Sequence, residues 1–332
     1  MSNLWPFIAV FGVAFLATLL MGVVFIPFMR KKKLGQQIRE VGPSWHMSKQ
    51  GTPTMGGLMF SVGALVAVVG YMIFHRGSEV NRLLFLLLFS LGFGVIGFID
   101  DFVKVAKKQN LGLTVIQKLL LQLALAVLFL SLLRYNGFLT PNLFIPFIGV
   151  TIPIPWVWYL LFAVFAVVGT VNAVNFTDGV DGLLTVTTIP VMIFFAIIGY
   201  LAGAGGVTVF ALAVAGGLCA FLIYNFNPAK IFMGDTGSLF LGGAVAGLAF
   251  AADMPLIILV VGALYVVEMV TVVIQIVYFK ATGGKRFFKM TPIHHHFEMS
   301  GWSEKKLCAV FGTVTLILCA LALVGVAGKY GL

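Results

Sequence analysis

The chain has 332 residues, of which 61% are hydrophobic and only 10% charged. A soluble domain carries about 25% charged residues, so a soluble globular protein is excluded and an all-α polytopic integral membrane protein is expected, as a single transmembrane domain over residues 1–332. The net charge of +10 does not point to nucleic acid, because the basic residues lie in short loops between apolar runs, the pattern of topology signals.

A span needs about 20 apolar residues. On that rule ten are predicted, near 4–29, 54–74, 82–100, 114–134, 155–176, 185–203, 206–225, 236–252, 254–279 and 306–328. The first run has no charge before it and Arg30-Lys31-Lys32-Lys33 after it. A cleavable signal has the reverse order and a shorter apolar core, so this run is read as a retained helix with its amino end outside. Between the fourth and fifth runs, 136–155 reads as a short extended hairpin, which its prolines confine to edge positions. The thinnest divisions are Gly203-Ala-Gly-Gly206, between the sixth and seventh runs, and Asp253-Met-Pro255, between the eighth and ninth. Cys219, Cys308 and Cys319 all lie inside apolar runs, with no metal or disulfide spacing.

Odd-numbered spans all exit on one face. Of the 21 Lys and Arg residues, all but Arg76, Arg82, Arg134 and Lys329 fall there. The positive-inside rule makes that face cytoplasmic and both termini external. The same parity sends five polar islands to it, around Lys49, Asp100-Asp101, Asp178 and Asp181, Asp235, and the triple histidine His294-His295-His296.

In Asp100-Asp101-Phe-Val-Lys104 one lysine faces two adjacent acids. A cation, or a proton raised onto one carboxyl, would resolve their repulsion. In Asn172-Ala-Val-Asn175-Phe-Thr-Asp178-Gly-Val-Asp181-Gly182 the polar residues recur every third position. On a 3.6-residue helix that spacing drifts by about 60° per step, so Asn172 and Asp181 cannot share one face of a straight helix. Gly179 and Gly182 are expected to break it. Gly234-Asp235-Thr-Gly-Ser238 opens the eighth span. Asp235 suits an N-cap, and the same turn exposes backbone amides where a phosphate binds readily. Lys49 lies on a basic loop leading to Thr52-Pro-Thr54. The three histidines lack the spacing of a zinc site and are read as hydrogen-bond or proton donors to phosphate or sugar. An interfacial segment with Lys285, Arg286, Phe287, Phe288 and Lys289 at the headgroups is compatible with that. Glu268 and Gln275 share a face of the ninth span; Gln275 is near the site, and Glu268 is expected to pair with another helix. Acids facing Lys49, Lys104, Lys118 and Lys230 suit a Mg²⁺–phosphate site. A transporter is the non-enzyme alternative, although its acids would gather at mid-membrane between repeats.

Five motifs carry a resemblance along the whole chain: Gly51-Thr-Pro-Thr-Met-Gly-Gly57, Gly97-Phe-Ile-Asp-Asp-Phe102, the Asn172–Gly182 motif, Phe232-Met-Gly-Asp-Thr-Gly-Ser238 and Thr291-Pro-Ile-His-His-His-Phe-Glu298. They resemble the polyprenyl-phosphate N-acetylhexosamine-1-phosphate transferase superfamily and, through the triple-histidine loop, its phospho-MurNAc-pentapeptide transferases rather than its GlcNAc-phosphate transferases. The resemblance implies UDP-MurNAc-pentapeptide and undecaprenyl phosphate as substrates, lipid I and UMP as products, and Mg²⁺ as cofactor. It implies Asp235 as the Mg²⁺ ligand, and Asp100 and Asp101 as a catalytic pair, with Asp100 taking the proton of the lipid phosphate. Lys49, Thr54, Asn172, Asn175, Asp178, Asp181, Asn225, Phe232, Gly234 and Gln275 are then the nucleotide-sugar pocket, with Phe232 stacked on uracil. His294, as a catalytic residue, and His295 would contact diphosphate or sugar, and Lys104 and Lys118 would partner phosphate. A homodimer in the lipid bilayer and inhibition by nucleoside antibiotics such as tunicamycin are implied as well.

Overall fold

The computed structural model describes residues 4–31, 49, 51–107 and 111–330. Most of the basic loop between the first two spans, including His46 and Gln50, therefore lies outside the described residues. Among those described, nine helices are long and apolar enough to cross a membrane. They are α1 (Trp5–Lys31), α2 (Gly57–Phe74), α3 (Ser78–Ala106), α4 (Val115–Tyr135), α5 (Trp156–Thr177), α6 (Leu183–Leu201), α7 (Gly205–Asn225), α10 (Ala263–Ala281) and α12 (Glu304–Tyr330).

The expected eighth span is α8 (Gly234–Ala251), which opens on Gly-Asp-Thr-Gly-Ser and is not among the nine. It does not need to face lipid. Every residue from Thr236 to Ala251 is buried, with α3 and α5 packed along it. Small side chains let backbones approach closely, which is how helices associate where lipid is as apolar as leucine. The small side chains of α8 thus suit it to be the central post of the bundle.

The expected continuous ninth span, 254–279, is broken. A 3-10 turn at Pro255–Ile257 leads into a four-residue helix α9 (Ile258–Val261), and the chain restarts as α10 after Gly262. Pro255 has no amide hydrogen to give a preceding turn. Gly262 leaves helical geometry at φ −102° and ψ 15°. The thin division between the sixth and seventh spans holds, and Gly203 makes the turn at φ +67°. The expected hairpin is present: β1 (Asn142–Ile145) pairs antiparallel with β2 (Val150–Pro153).

The two ends of the bundle differ. At the hairpin end Asp253 accepts bonds from the amide and hydroxyl of Thr140, and Lys329 donates to its carbonyl. At the other end, the C-termini of α3, α5 and α7 meet the N-termini of α4, α8 and α12, and a short helix α11 (Ile293–Glu298) lies against α10. The polar islands gather there because a helix interior in lipid satisfies its own backbone and leaves charged groups only the ends.

Candidate active site

The start of α4 is fixed locally. The Thr114 hydroxyl accepts from the Gln117 amide, and the Gln117 side chain accepts from the Thr114 amide, a reciprocal capping box. This places Lys118 in the first turn, where its ammonium donates to Asp235 Oδ2 at 3.0 Å. Lys104, on the last turn of α3, reaches the same oxygen at 2.9 Å and also pairs with Asp100. Asn175 donates to Asp235 Oδ1 at 2.9 Å and to Ser238 Oγ at 2.7 Å.

Asp101 is used differently from its neighbour. Its carboxylate accepts the amide of Asp235 and both the amide and hydroxyl of Thr236, at 2.7–3.1 Å. It caps the N-terminus of α8 from another helix, where orphan amides and the helix dipole both favour a negative charge. Asp100 instead accepts the Leu113 amide at 2.7 Å. Gly234 opens α8 at φ +72°, a conformation open to glycine, and a Cβ there would crowd Asp101 and the Thr54 hydroxyl.

One oxygen from each of Asp100, Asp101 and Asp235 lies within 4.8 Å of the others. Three carboxylates with two ammonium groups leave the cluster one positive charge short. Hard carboxylate oxygens at this separation are the donors a divalent cation such as Mg²⁺ takes, so the residues present fit such an ion. Asp178, at the end of α5, is half-buried, and no described residue donates to its carboxylate. Burial pushes its pKa up to about 8, and the nearby charges of Asp235, Asp101 and Asp181 add to the effect.

A second cluster stands beside the first. Lys49 donates to Asp181 at 2.8 Å and to Glu304 at 2.7 Å. Asn227 reaches both acids, and the Ala229 amide donates to Asp181. Glu304 and Asn227 are not among the residues the sequence singles out. An acid opening an apolar run next to Lys305-Lys306 reads as an ordinary helix start, which hid Glu304.

Four expected site residues are turned elsewhere. Asn172 donates to Gln122 of α4 and to the Val168 carbonyl. Asn225 is buried, accepting from Thr185 and donating to the Ile231 carbonyl. Gln275 accepts the amides of Phe287 and Phe288 and so holds the basic loop. His294 is wholly buried, 3.1 Å from Glu268 and packed on Gly179; the helix Glu268 was expected to pair with is α11. His295 sits on Glu298 at 2.6 Å. Phe232 is half-buried at the rim, its amide and carbonyl bonded to Pro53 and Gly56.

With this geometry in hand, comparison with known proteins is decisive. A family model described as glycosyl transferase family 4 matches residues 83–253. Phospho-N-acetylmuramoyl-pentapeptide-transferase signature 1 matches residues 49–60, the segment that carries Lys49 and Thr54. Relatives bearing that enzyme name include the three that follow. The one from Bacillus cytotoxicus is 45% identical over 94% of this chain and 95% of its own length. That from Clostridium botulinum is 46% identical, covering 94% of each chain. That from Listeria monocytogenes is 44% identical, over 95% of this chain and 96% of its own. The chain belongs to the phospho-N-acetylmuramoyl-pentapeptide-transferase family. The family-4 match runs from α3 to the end of α8 and so takes in Asp100, Asp101, Lys104, Lys118, Asn175 and Asp235. The histidine loop and Glu304 lie beyond it.

Proposed function

We propose that this chain transfers phospho-MurNAc-pentapeptide from UDP-MurNAc-pentapeptide to undecaprenyl phosphate, giving lipid I and UMP. The observation that carries the reading is the near-full-length match to relatives named for that transfer. The acid–lysine cluster at one end of the helices supports it, since phosphoryl transfer depends on positioning and charge neutralisation more than on a strong nucleophile.

An oxygen of the lipid phosphate attacks the sugar-bearing phosphorus in line, and the bond from that phosphorus to the oxygen of UMP breaks. The lipid phosphate has a second pKa near 6, so it arrives mostly dianionic and Asp100 has little proton to remove. Lys104 and Lys118, now on Asp235, are placed to move onto phosphate oxygens as charge builds there. Asp235, with Asp100 and Asp101, would hold Mg²⁺, which supplies further neutralisation of the diphosphate. Asp101 keeps the first peptide of α8 in place. Lys49, Asp178, Asp181 and Phe232 form the wall for the nucleotide sugar, and His295 lies at its edge.

The site faces the cytoplasm of a bacterial plasma membrane on this reading, because that end carries the basic loops. Both termini are external, the protein acts as a homodimer, and uridine-like nucleoside antibiotics compete for the Phe232 wall. Purified protein should release UMP from UDP-MurNAc-pentapeptide only when polyprenyl phosphate and Mg²⁺ are both present. Repeated turnover without the lipid, beyond one UMP per protein, would refute the transfer, and full activity after exhaustive chelation would remove Mg²⁺ from it. Exchange of labelled UMP into the donor in the strict absence of lipid would replace in-line attack by a covalent aspartyl intermediate.

A further inference from the structure

Lys49, the Asp181 amide and Asn227 come from three separate connections of the bundle, yet all three meet one carboxylate. Glu304, in the first turn of α12, takes the Lys49 ammonium at 2.7 Å and the Asp181 amide and Asn227 side chain at 3.1 Å each. This is no surface ion pair. The side chains of Glu304 and Asp181 are 12% and 4% exposed, and that of Lys49 is 19% exposed. A buried and a half-buried carboxylate share one ammonium, so neither acid is neutralised without it, and a negative group in the first turn of α12 is favoured there by the helix dipole.

Each bonded segment leads to a group of the site. Asp181 follows Asp178 by one turn of loop. Asn227 and Ala229 precede Phe232 and Asp235. Lys49 leads to Thr54, whose hydroxyl stands against Gly234. Glu304 itself makes no bond to Asp100, Asp101 or Asp235 in the hydrogen-bond and ion-pair network of the described residues.

We propose that Glu304 is a positioning residue for the nucleotide-sugar donor: it fixes the Lys49 ammonium between the two loops, and acts on the donor only through that ammonium. The inference rests on the transfer reading above. Glu304 sets where the cation waits for the donor's diphosphate and has no part in the bond change.

The test is donor kinetics on Glu304→Ala and Glu304→Gln, alone and combined with Lys49→Ala. Glu304→Ala should raise the donor KM about tenfold or more and change kcat by less than about threefold, the scale of coupling between charged neighbours. Glu304→Gln keeps an acceptor oxygen for the Asp181 amide and should raise KM by less. In the Lys49→Ala background, adding Glu304→Ala should shift KM by less than about twofold, because the path through Lys49 is already cut. Additive effects in that cycle, a loss in kcat with KM unchanged, or wild-type kinetics in Glu304→Ala would each overturn the proposal. If Glu304→Ala does not fold, the cycle is run with Glu304→Gln. If the unmutated protein does not turn over, the transfer reading has failed by itself, and calorimetric binding of UDP to the same variants decides the role of Glu304.

Discussion

Gly97→Ala is the substitution whose effect the structure specifies most fully. Gly97 lies one turn before Asp101 on α3 and packs on the Asp235–Thr236 peptide in the first turn of α8. A Cβ there overlaps the Asp235 carbonyl and stands 2.7 Å from the Thr236 amide nitrogen, against an ordinary contact that begins at 3.4 Å. The start of α8 must therefore retreat from α3 by at least about 0.7 Å, an overpacking that costs roughly 1–3 kcal/mol. The Thr236 amide now donates to Asp101 at 2.9 Å; the retreat carries it to about 3.6 Å or beyond, past hydrogen-bond range. Asp235 moves with it, away from Asp100. A misplacement of about 1 Å can remove about 100-fold in rate, so turnover should fall by about that factor while the helices persist. UMP release and thermal unfolding in detergent read the two effects separately. Gly70→Ala is the control: nothing lies within 4 Å of its Cβ, and replacing a helical glycine should be neutral or stabilising by about 0.5–1 kcal/mol. Turnover within about threefold of wild type in Gly97→Ala, with an unchanged melting temperature, would refute the claim that close α3–α8 approach sets the site.

Asp101→Asn retains one acceptor oxygen and loses the charge that caps α8; melting temperature should drop by a few degrees, on the order of 1 kcal/mol, and activity should fall sharply. Equal stability with activity lost would make Asp101 a purely chemical residue instead. Asp178 has a folded pKa raised to about 8, above its unfolded value near 3.9. The fold then binds the extra proton between those values, so this group's stabilisation is complete below about pH 4 and is lost as pH rises toward 8. In cation-free protein, Asp178→Asn should flatten the decline in melting temperature between pH 5 and 8.5; an unchanged slope would show the carboxyl to be ionised throughout. Asn172→Ala should lower stability by about 1 kcal/mol, through the bond to Gln122, and leave the donor KM unchanged. Asn175→Ala removes a donor from Asp235 and should impair turnover; the reverse pattern would exchange their roles.

The sequence alone determined the membrane class, the apolar runs that nine of the described helices fill and the gathering of acids at one end. It could do so because lipid imposes a one-dimensional rule: runs of about 20 apolar residues cross, and charge collects where they stop. The motifs likewise carried the family. What the linear pattern could not determine is rotation about a helix axis and the order of partners at an end, which packing sets. Asn172 and Asn175 lie three positions apart in one motif, yet one faces Gln122 and the other Asp235. Asp100 and Asp101 are adjacent, yet only Asp101 caps α8. Glu304 looked like any acid at a helix start until the fold set it beside Lys49. The break at Gly262 was hidden because residues on both sides are equally apolar. Each of these was decided by packing in three dimensions; at α8 it was decided by close approach to α3 through Gly97 and Gly243.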